Sequence, residues 1–194
     1  MQNDTSVLIA LVAGLALALA LVAIIWRVRA RQRTAALREH FGPEYDRVLS
    51  EHNSRARAER ELALRHKRVQ KLHIQPLSAE QCARFGSDWS EVQQRFVDDP
   101  NGAVSDAARL VKEVMSARGY PMSDFEQRVA DLSVEHASVI DHYRAARSLA
   151  QASEKGEAST EDLRQAMVHY RALFTDLLQM QAQYGTGRLS TAHA

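Results

Sequence analysis

The chain has 194 residues, of which 45% are apolar, 25% charged and 6% aromatic, with 8 Gly, 4 Pro and one Cys. This length allows one ordinary domain with an appendage, the low Gly and Pro content argues against a fibrous or wholly disordered chain, and one cysteine excludes a disulfide scaffold. The net charge of +1 hides an asymmetry, because residues 27–75 carry 13 basic and 6 acidic side chains whereas residues 76–194 carry 12 and 17.

An uncharged apolar run, VLIALVAGLALALALVAIIW, occupies residues 7–26. At a rise of about 1.5 Å per residue, a helix of this length spans about 30 Å, which is the hydrocarbon thickness of a bilayer. We therefore predict a transmembrane helix over residues 7–26, preceded by a short external N-terminus over residues 1–6. The alternative is a cleaved signal peptide, but such peptides carry basic residues before the apolar run, and MQNDTS has none.

Basic residues follow the apolar run instead of preceding it. Arg27, Arg29, Arg31 and Arg33 come directly after Trp26, whose amphipathic ring is typical of the headgroup region. We predict these five residues as the membrane interface. Lys and Arg next to a spanning helix are retained on the cytoplasmic side. The sequence therefore predicts a single-pass protein of the bacterial inner membrane, with its N-terminus outside and its C-terminal domain in the cytoplasm.

The segment of residues 27–77 is predicted as a basic juxtamembrane helix followed by a neck. Gly42 and Pro43 mark the expected end of the first helix, because Gly releases helical geometry and Pro blocks its continuation. Apolar positions are sparse between residues 44 and 72, and Arg65 interrupts the stripe that they would form. We expect a solvated, partly helical neck here rather than a packed core element.

Residues 78–184 contain five helical units that each carry one apolar stripe. Ser78 and Gln81 stand at capping-box spacing before the first of them. No run alternates with a period of two for long enough to indicate a sheet, so the predicted fold class is all-α, with a cytoplasmic bundle of four to five helices. The helical units of residues 78–184 begin or end at Ser78, the DDPNG turn of residues 98–102, Gly119, Ser123, Gly156, and Ser159 or Thr160. Residues 185–194 are predicted to be a disordered tail.

Three strings stand out in the part of the chain after residue 40: RFVDDPNGAV (95–104), DFEQRVADLSVEH (124–136) and GEASTEDLRQAMVHYRALF (156–174). They resemble strings of an uncharacterised bacterial family of small helical proteins with an apolar N-terminal segment, whose members are often labelled hypothetical or secreted. The resemblance implies a helical fold. It supplies no activity, cofactor or catalytic residue.

Sequence patterns of metal and catalytic sites are missing. Di-iron bundles use Glu-x-x-His motifs, and no His has an acidic residue three positions before it. Zinc sites need closed ligation by Cys and His, and the chain has one cysteine. Glu135, His136, Asp141 and His142 come nearest to a metal cluster, but we expect them to form a solvated face. Cys82 is expected to be a small apolar residue. We predict no metal, no cofactor and no enzyme activity.

The leading functional prediction is a non-enzymatic, membrane-anchored protein whose bundle binds another protein or a second copy of itself. The alternative is a membrane-tethered domain that binds a small ligand or lipid in an aromatic pocket, and an unrecognised enzyme would instead show perturbed titratable groups in a cleft. The basic stretch of residues 55–71 is the one candidate nucleic-acid footprint, but it has no interleaved aromatic residues, and we expect no nucleic acid. The pocket would be lined by Trp89, Phe96, Phe125, Tyr143 and Phe174.

Overall fold

The structure is a computed structural model that describes residues 2–179, including the side chains of residues 14, 15 and 17–179. The described residues form eight α-helices and contain no strand, which confirms the all-α prediction. The predicted tail of residues 185–194 lies outside the described residues, as do residues 180–184 of the predicted bundle. The helices are α1 (Gln2–Phe41), α2 (Pro43–Glu51), α3 (Arg55–Val69), α4 (Ala79–Arg95), α5 (Pro100–Ala117), α6 (Phe125–Glu135), α7 (Ile140–Glu154) and α8 (Thr160–Gln179).

Helices α4 to α8 form the predicted helical bundle. Their apolar stripes meet in one core that extends from Leu77 to Leu177. α8 packs against both α5 and α7, while α4 lies against α5. Trp89 of α4 stacks on Phe174 of α8 with ring centroids 4.7 Å apart, and such a pair contributes about 0.5–1.5 kcal/mol beyond the burial of its area.

Side-chain caps begin the bundle helices at or close to the predicted positions. Ser78 Oγ accepts a hydrogen bond from the Gln81 amide at 3.1 Å, and Gln81 Oε1 accepts one from the Ser78 amide at 2.8 Å, which confirms the capping box. At α6 the prediction is wrong by one residue. The cap is Asp124 instead of Ser123, and its carboxylate accepts from the Gln127 amide at 2.9 Å. A carboxylate there also faces the positive end of the helix dipole.

The turn between α1 and α2 depends on Gly42. Its φ is +50°, in the left-handed region that favours glycine. Pro43 is the first residue of α2, where its missing amide hydrogen costs nothing. The predicted end of the first helix is therefore confirmed, but the chain enters a new helix at once and turns back, so that Arg38 of α1 donates to Asp46 of α2 at 2.8 Å.

A second, smaller core joins the end of α1 to α2, α3 and α6. The expectation of a solvated neck between residues 44 and 72 is wrong, because the few apolar side chains of α2 and α3 pack together in this second core. Charged residues separate them in the sequence and hide the pattern. The buried members of this second core are Phe41, Tyr45, Val48, Ala58, Leu62, Val69 and Val134.

Most of α1 extends away from this folded body. Every described side chain from residue 14 to residue 33 is exposed, and the first partly buried ones are Thr34 and Leu37. Within the described residues, no helix combines the length and the apolar character that a membrane crossing requires. Part of the predicted span of residues 7–26, and the predicted external segment of residues 1–6, have side chains that lie outside the described residues. The described residues do not support the span, which stays a prediction.

Candidate functional site

The five residues predicted at the membrane interface lie together on the extended part of α1. Trp26 is 76% exposed, and Arg27, Arg29, Arg31 and Arg33 are also exposed, without an ion pair to another described residue. An exposed apolar surface precedes the arginines along α1, and such surfaces mark contacts with lipid or with protein. Its large side chains, each between 48% and 76% exposed, are Leu15, Leu17, Leu19, Leu21, Val22, Ile24, Ile25, Trp26 and Val28.

Helix α3 lies beside the end of α1 and runs in the same direction. Thr34 Oγ1 donates to Glu59 Oε1 at 2.7 Å, and further along both helices the rings of His40 and His66 lie 5.1 Å apart. Each contact joins a residue of α1 to one that is 25 or 26 positions later, in α3. Because this offset stays nearly constant along both helices, the two helices are parallel. The N-terminal end of α3 therefore points toward the extended part of α1. The sequence does not predict this arrangement, because polar contacts hold the two helices together and such contacts leave no periodic pattern.

A buried carboxylate holds three helices together. Glu44 of α2 is 1% exposed. Its Oε1 accepts from Arg65 of α3 and from Arg144 of α7, both at 2.9 Å, and its Oε2 accepts a second bond from Arg144 at 2.9 Å and one from Arg47 at 3.2 Å. Burial alone would raise the pKa of Glu44, but the hydrogen bonds and charges of these arginines outweigh it and lower the pKa.

A second buried carboxylate is less completely paired. Asp131 of α6 is 1% exposed, and its Oδ1 accepts from Gln127 at 2.9 Å and pairs with Arg68 at 3.2 Å. Its Oδ2 has no hydrogen-bond partner. Burial therefore raises the pKa of Asp131, although Gln127 and Arg68 act in the opposite direction. Neither carboxylate lines the grooves found among residues 14–179, and both contact side chains of neighbouring helices, so we interpret them as structural groups.

The four residues that came nearest to a metal motif do not converge. His136 is 1% exposed, which shows that the expected solvated face is wrong at this position. Its Nδ1 hydrogen-bonds to Asp176 of α8, while Glu135 accepts from Tyr120 at 2.8 Å. Among the described residues there is no group of three or more potential metal ligands.

The pair of His136 and Asp176 has the hydrogen bond that orients a catalytic imidazole, which leaves Nε2 as the reactive atom. That Nε2 is buried without a partner. A surface groove of about 430 Å³ borders Asp176, but His136 is not among its lining residues. The ring of His136 is buried and lines none of the described grooves, so we interpret this pair as a packing contact of α8 with the end of α6.

His142 and His169 connect α7 to α8. Their Nδ1 atoms lie 2.8 Å apart, so one ring must donate and the other accept. This hydrogen bond requires at least one neutral ring. Burial and then the charge of His142 lower the pKa of His169 below its ordinary value of 6.5. His169 is half-buried, and its ring takes part in packing α7 against α8.

This pair predicts a loss of stability at acidic pH. The folded state binds a proton at His169 less readily than the unfolded chain, so stability is complete above pH 6.5 and falls as the pH drops toward the lowered pKa of the folded state. We expect the His169→Gln variant to show a weaker dependence of its urea midpoint on pH between 7 and 5 than the wild type. The exposed His73→Gln variant is the control. Equal pH profiles for the wild type and both variants would contradict the assignment.

The five aromatic residues of the alternative function pack into or against the bundle core instead of lining the described grooves. Trp89, Tyr143 and Phe174 are buried in the bundle core, and Phe96 and Phe125 are half-buried against it. A groove of about 640 Å³ does lie between α5 and α7, but charged side chains line much of it, among them Arg109, Lys112, Glu113, Arg147 and Glu154. Cys82 is half-buried against the same core, as expected for a small apolar residue, and burial raises the pKa of its thiol.

The fold and these surfaces define an all-helical protein with two connected cores and one extended, apolar helix. Comparison with protein-family models, with curated proteins and with solved structures finds no match to this chain. The resemblance noted above to a bacterial family of helical proteins therefore stays a prediction.

Proposed function

We propose that this chain is a single-pass protein of the bacterial inner membrane, and that its helical body is a non-enzymatic module that binds another protein or a second copy of itself. The N-terminal helix anchors the module in the bilayer over residues 7–26. The C-terminal body lies in the cytoplasm, on the side of the arginines that follow the span.

The exposed apolar surface of α1 carries this proposal. From Leu15 to Val28 the large side chains are exposed, and burying each of them would contribute about 1.5–3 kcal/mol. In the sequence, the uncharged apolar run begins at residue 7, before these side chains. Four arginines without ion pairs among the described residues follow the apolar surface, where lipid headgroups would neutralise them.

The role of the body as an interaction module is supported by its closed interior. A core of stacked and interlocked side chains fills the bundle, and the buried polar groups serve helix packing. The described grooves are open to solvent: the one between α4 and α5 is lined mainly by charged residues, and the one between α5 and α7 mixes charged side chains with apolar atoms. Such surfaces suit contacts with another protein better than the enclosure of an apolar ligand.

Crosslinking in intact cells, followed by mass spectrometry, tests the interaction. The chain has four lysines, all exposed: Lys67 and Lys71 lie at the end of α3 and just after it, whereas Lys112 and Lys155 lie on the bundle. We expect an amine-reactive crosslinker to join at least one of them reproducibly to a specific protein or to a second copy. Recovery of the chain alone and monomeric from detergent, without crosslinks, would contradict the proposal.

A further inference from the structure

We propose that the N-terminal end of α3 forms, together with α1, a docking surface for anionic lipid headgroups. This inference rests on the proposed function, because it requires α1 to be inserted in a bilayer. We call the surface the basic collar. It consists of Arg27, Arg29, Arg31, Arg33, Arg55, Arg57 and Arg60.

The register of the two helices places both groups of arginines at one end of the body. Glu59 pairs with Thr34, which is 25 positions earlier, and α3 runs parallel to α1. Arg55 therefore lies at about the level of Ala30, and Trp26 lies four residues, or about 6 Å, further along the axis. An arginine side chain can cover this distance, so the tip formed by residues 52–55 reaches the headgroup layer when Trp26 lies at the interface.

Charge at this end is positive because the exposed arginines outnumber the carboxylates that lack an ion pair. Arg55, Arg57 and Arg60 are exposed and form no ion pair among the described residues. Glu59 accepts hydrogen bonds from Thr34 and Tyr45. Three other nearby carboxylates form ion pairs: Asp46 with Arg38, Glu51 with Arg47, and Glu61 with Arg65. Glu39 is exposed and forms no ion pair among the described residues, but it follows the arginines of the collar along α1.

A lipid surface fits the collar better than a nucleic acid does. The arginines surround the base of an apolar helix, and no exposed aromatic residue of α3 is available for stacking on bases. Each basic residue near an anionic bilayer strengthens binding by about fivefold. Three arginines on α3 would therefore change the ratio of docked to undocked body by up to about 100-fold.

Reconstituted full-length protein with two fluorescent reporters tests the proposal. Trp26, quenched by lipids with brominated acyl chains, reports insertion of α1, while Trp89 stays inside the body core. A bimane label on Asn53→Cys, made in a Cys82→Ser background, reports the α3 tip through quenching by headgroup spin labels. Vesicles contain either phosphatidylcholine alone or phosphatidylcholine with phosphatidylglycerol.

We expect Trp26 to be quenched in both kinds of vesicle, and the label at position 53 to be quenched more strongly with phosphatidylglycerol. The triple variant Arg55→Gln, Arg57→Gln, Arg60→Gln should lose the second effect and keep the first. A matched variant removes three charges from exposed positions of the bundle and should behave as the wild type: Lys112→Gln, Lys155→Gln, Arg171→Gln.

The two proposals fail in different ways. Absence of Trp26 quenching in both vesicles would overturn the membrane anchor itself. Quenching of Trp26 without an effect of phosphatidylglycerol at position 53 would overturn the lipid surface alone. Duplex DNA could instead reduce the quenching at position 53, in a salt-dependent manner and regardless of lipid charge. That result would also overturn the lipid surface and would assign the collar to nucleic acid.

Discussion

Replacement of Glu44 by alanine is expected to lower the free energy of unfolding by about 3–5 kcal/mol. The carboxylate is buried and receives four hydrogen bonds from three arginines, so its removal leaves the guanidinium groups of Arg65 and Arg144 poorly solvated and without their partner. The side chains of Arg65 and Arg144 are only 12% and 19% exposed. Urea unfolding of the solubilised full-length chain, followed by circular dichroism, measures the loss.

The matched control lies on the same helix. Glu51 pairs with Arg47 at 2.7 Å, but its side chain is 48% exposed. Exposed pairs contribute about 0–1 kcal/mol, so Glu51→Ala should change stability little. Equal effects of the two substitutions would show that the buried cluster is not what joins α2 and α3 to α7.

The same carboxylate predicts a pH dependence with a defined sign. Because the pKa of Glu44 is lowered from its ordinary value of 4.5 in the folded state, the unfolded chain binds the proton first. The contribution of Glu44 is therefore complete above pH 4.5 and is lost as the pH falls through the lowered pKa. Asp131 affects the pH dependence of stability in the opposite direction, because burial raises its pKa in the folded state. Subtraction of the profile of Glu44→Gln from that of the wild type isolates the contribution of Glu44, and we expect the difference to shrink below pH 4.5.

The double substitution Leu17→Arg, Leu21→Arg is expected to abolish membrane integration. An arginine at the centre of a spanning helix costs about 2.5–3.5 kcal/mol and each leucine contributes about 0.3–0.6 kcal/mol, so the pair changes the insertion free energy by about 6–8 kcal/mol. Carbonate extraction of membranes, followed by detection of the chain in the pellet and supernatant, measures the outcome.

A control for that experiment places the same charges on the body. Leu64 and Val168 are 60% and 47% exposed, and we expect Leu64→Arg with Val168→Arg to leave the chain in the membrane pellet. If the double variant of α1 fractionates like this control, insertion of residues 7–26 does not hold the protein at the membrane.

Local signals in the sequence predict the helices of the bundle well, because caps and breakers act within a few residues. The capping box of Ser78 and the break at Gly42 are both present in the structure. The error at α6 has the same local character, since Ser123 and Asp124 are neighbouring cap residues and only the backbone geometry decides between them.

The second core and the buried charges could not be predicted in this way. In the sequence, Arg65 interrupts an apolar stripe, but in the structure it hydrogen-bonds to Glu44, which is 21 positions away. His136 pairs with Asp176 across 40 positions. Such pairs depend on which helices come together. No periodicity or local motif records that information, and a charged segment therefore gives the same pattern whether its charges are solvated or paired.

Cysteine accessibility in intact cells shows directly whether residues 7–26 hold the body at the inner face of a membrane. Single cysteines are introduced as Thr5→Cys or Asn53→Cys in a Cys82→Ser background, and the cells, with a permeable outer envelope, are treated with a maleimide that cannot cross the inner membrane. If the first helix spans the membrane in this orientation, position 5 is labelled in intact cells, and position 53 is labelled only after the inner membrane is opened. Labelling at position 53 in intact cells, or recovery of a soluble chain that lacks residues 1–26, would contradict this prediction.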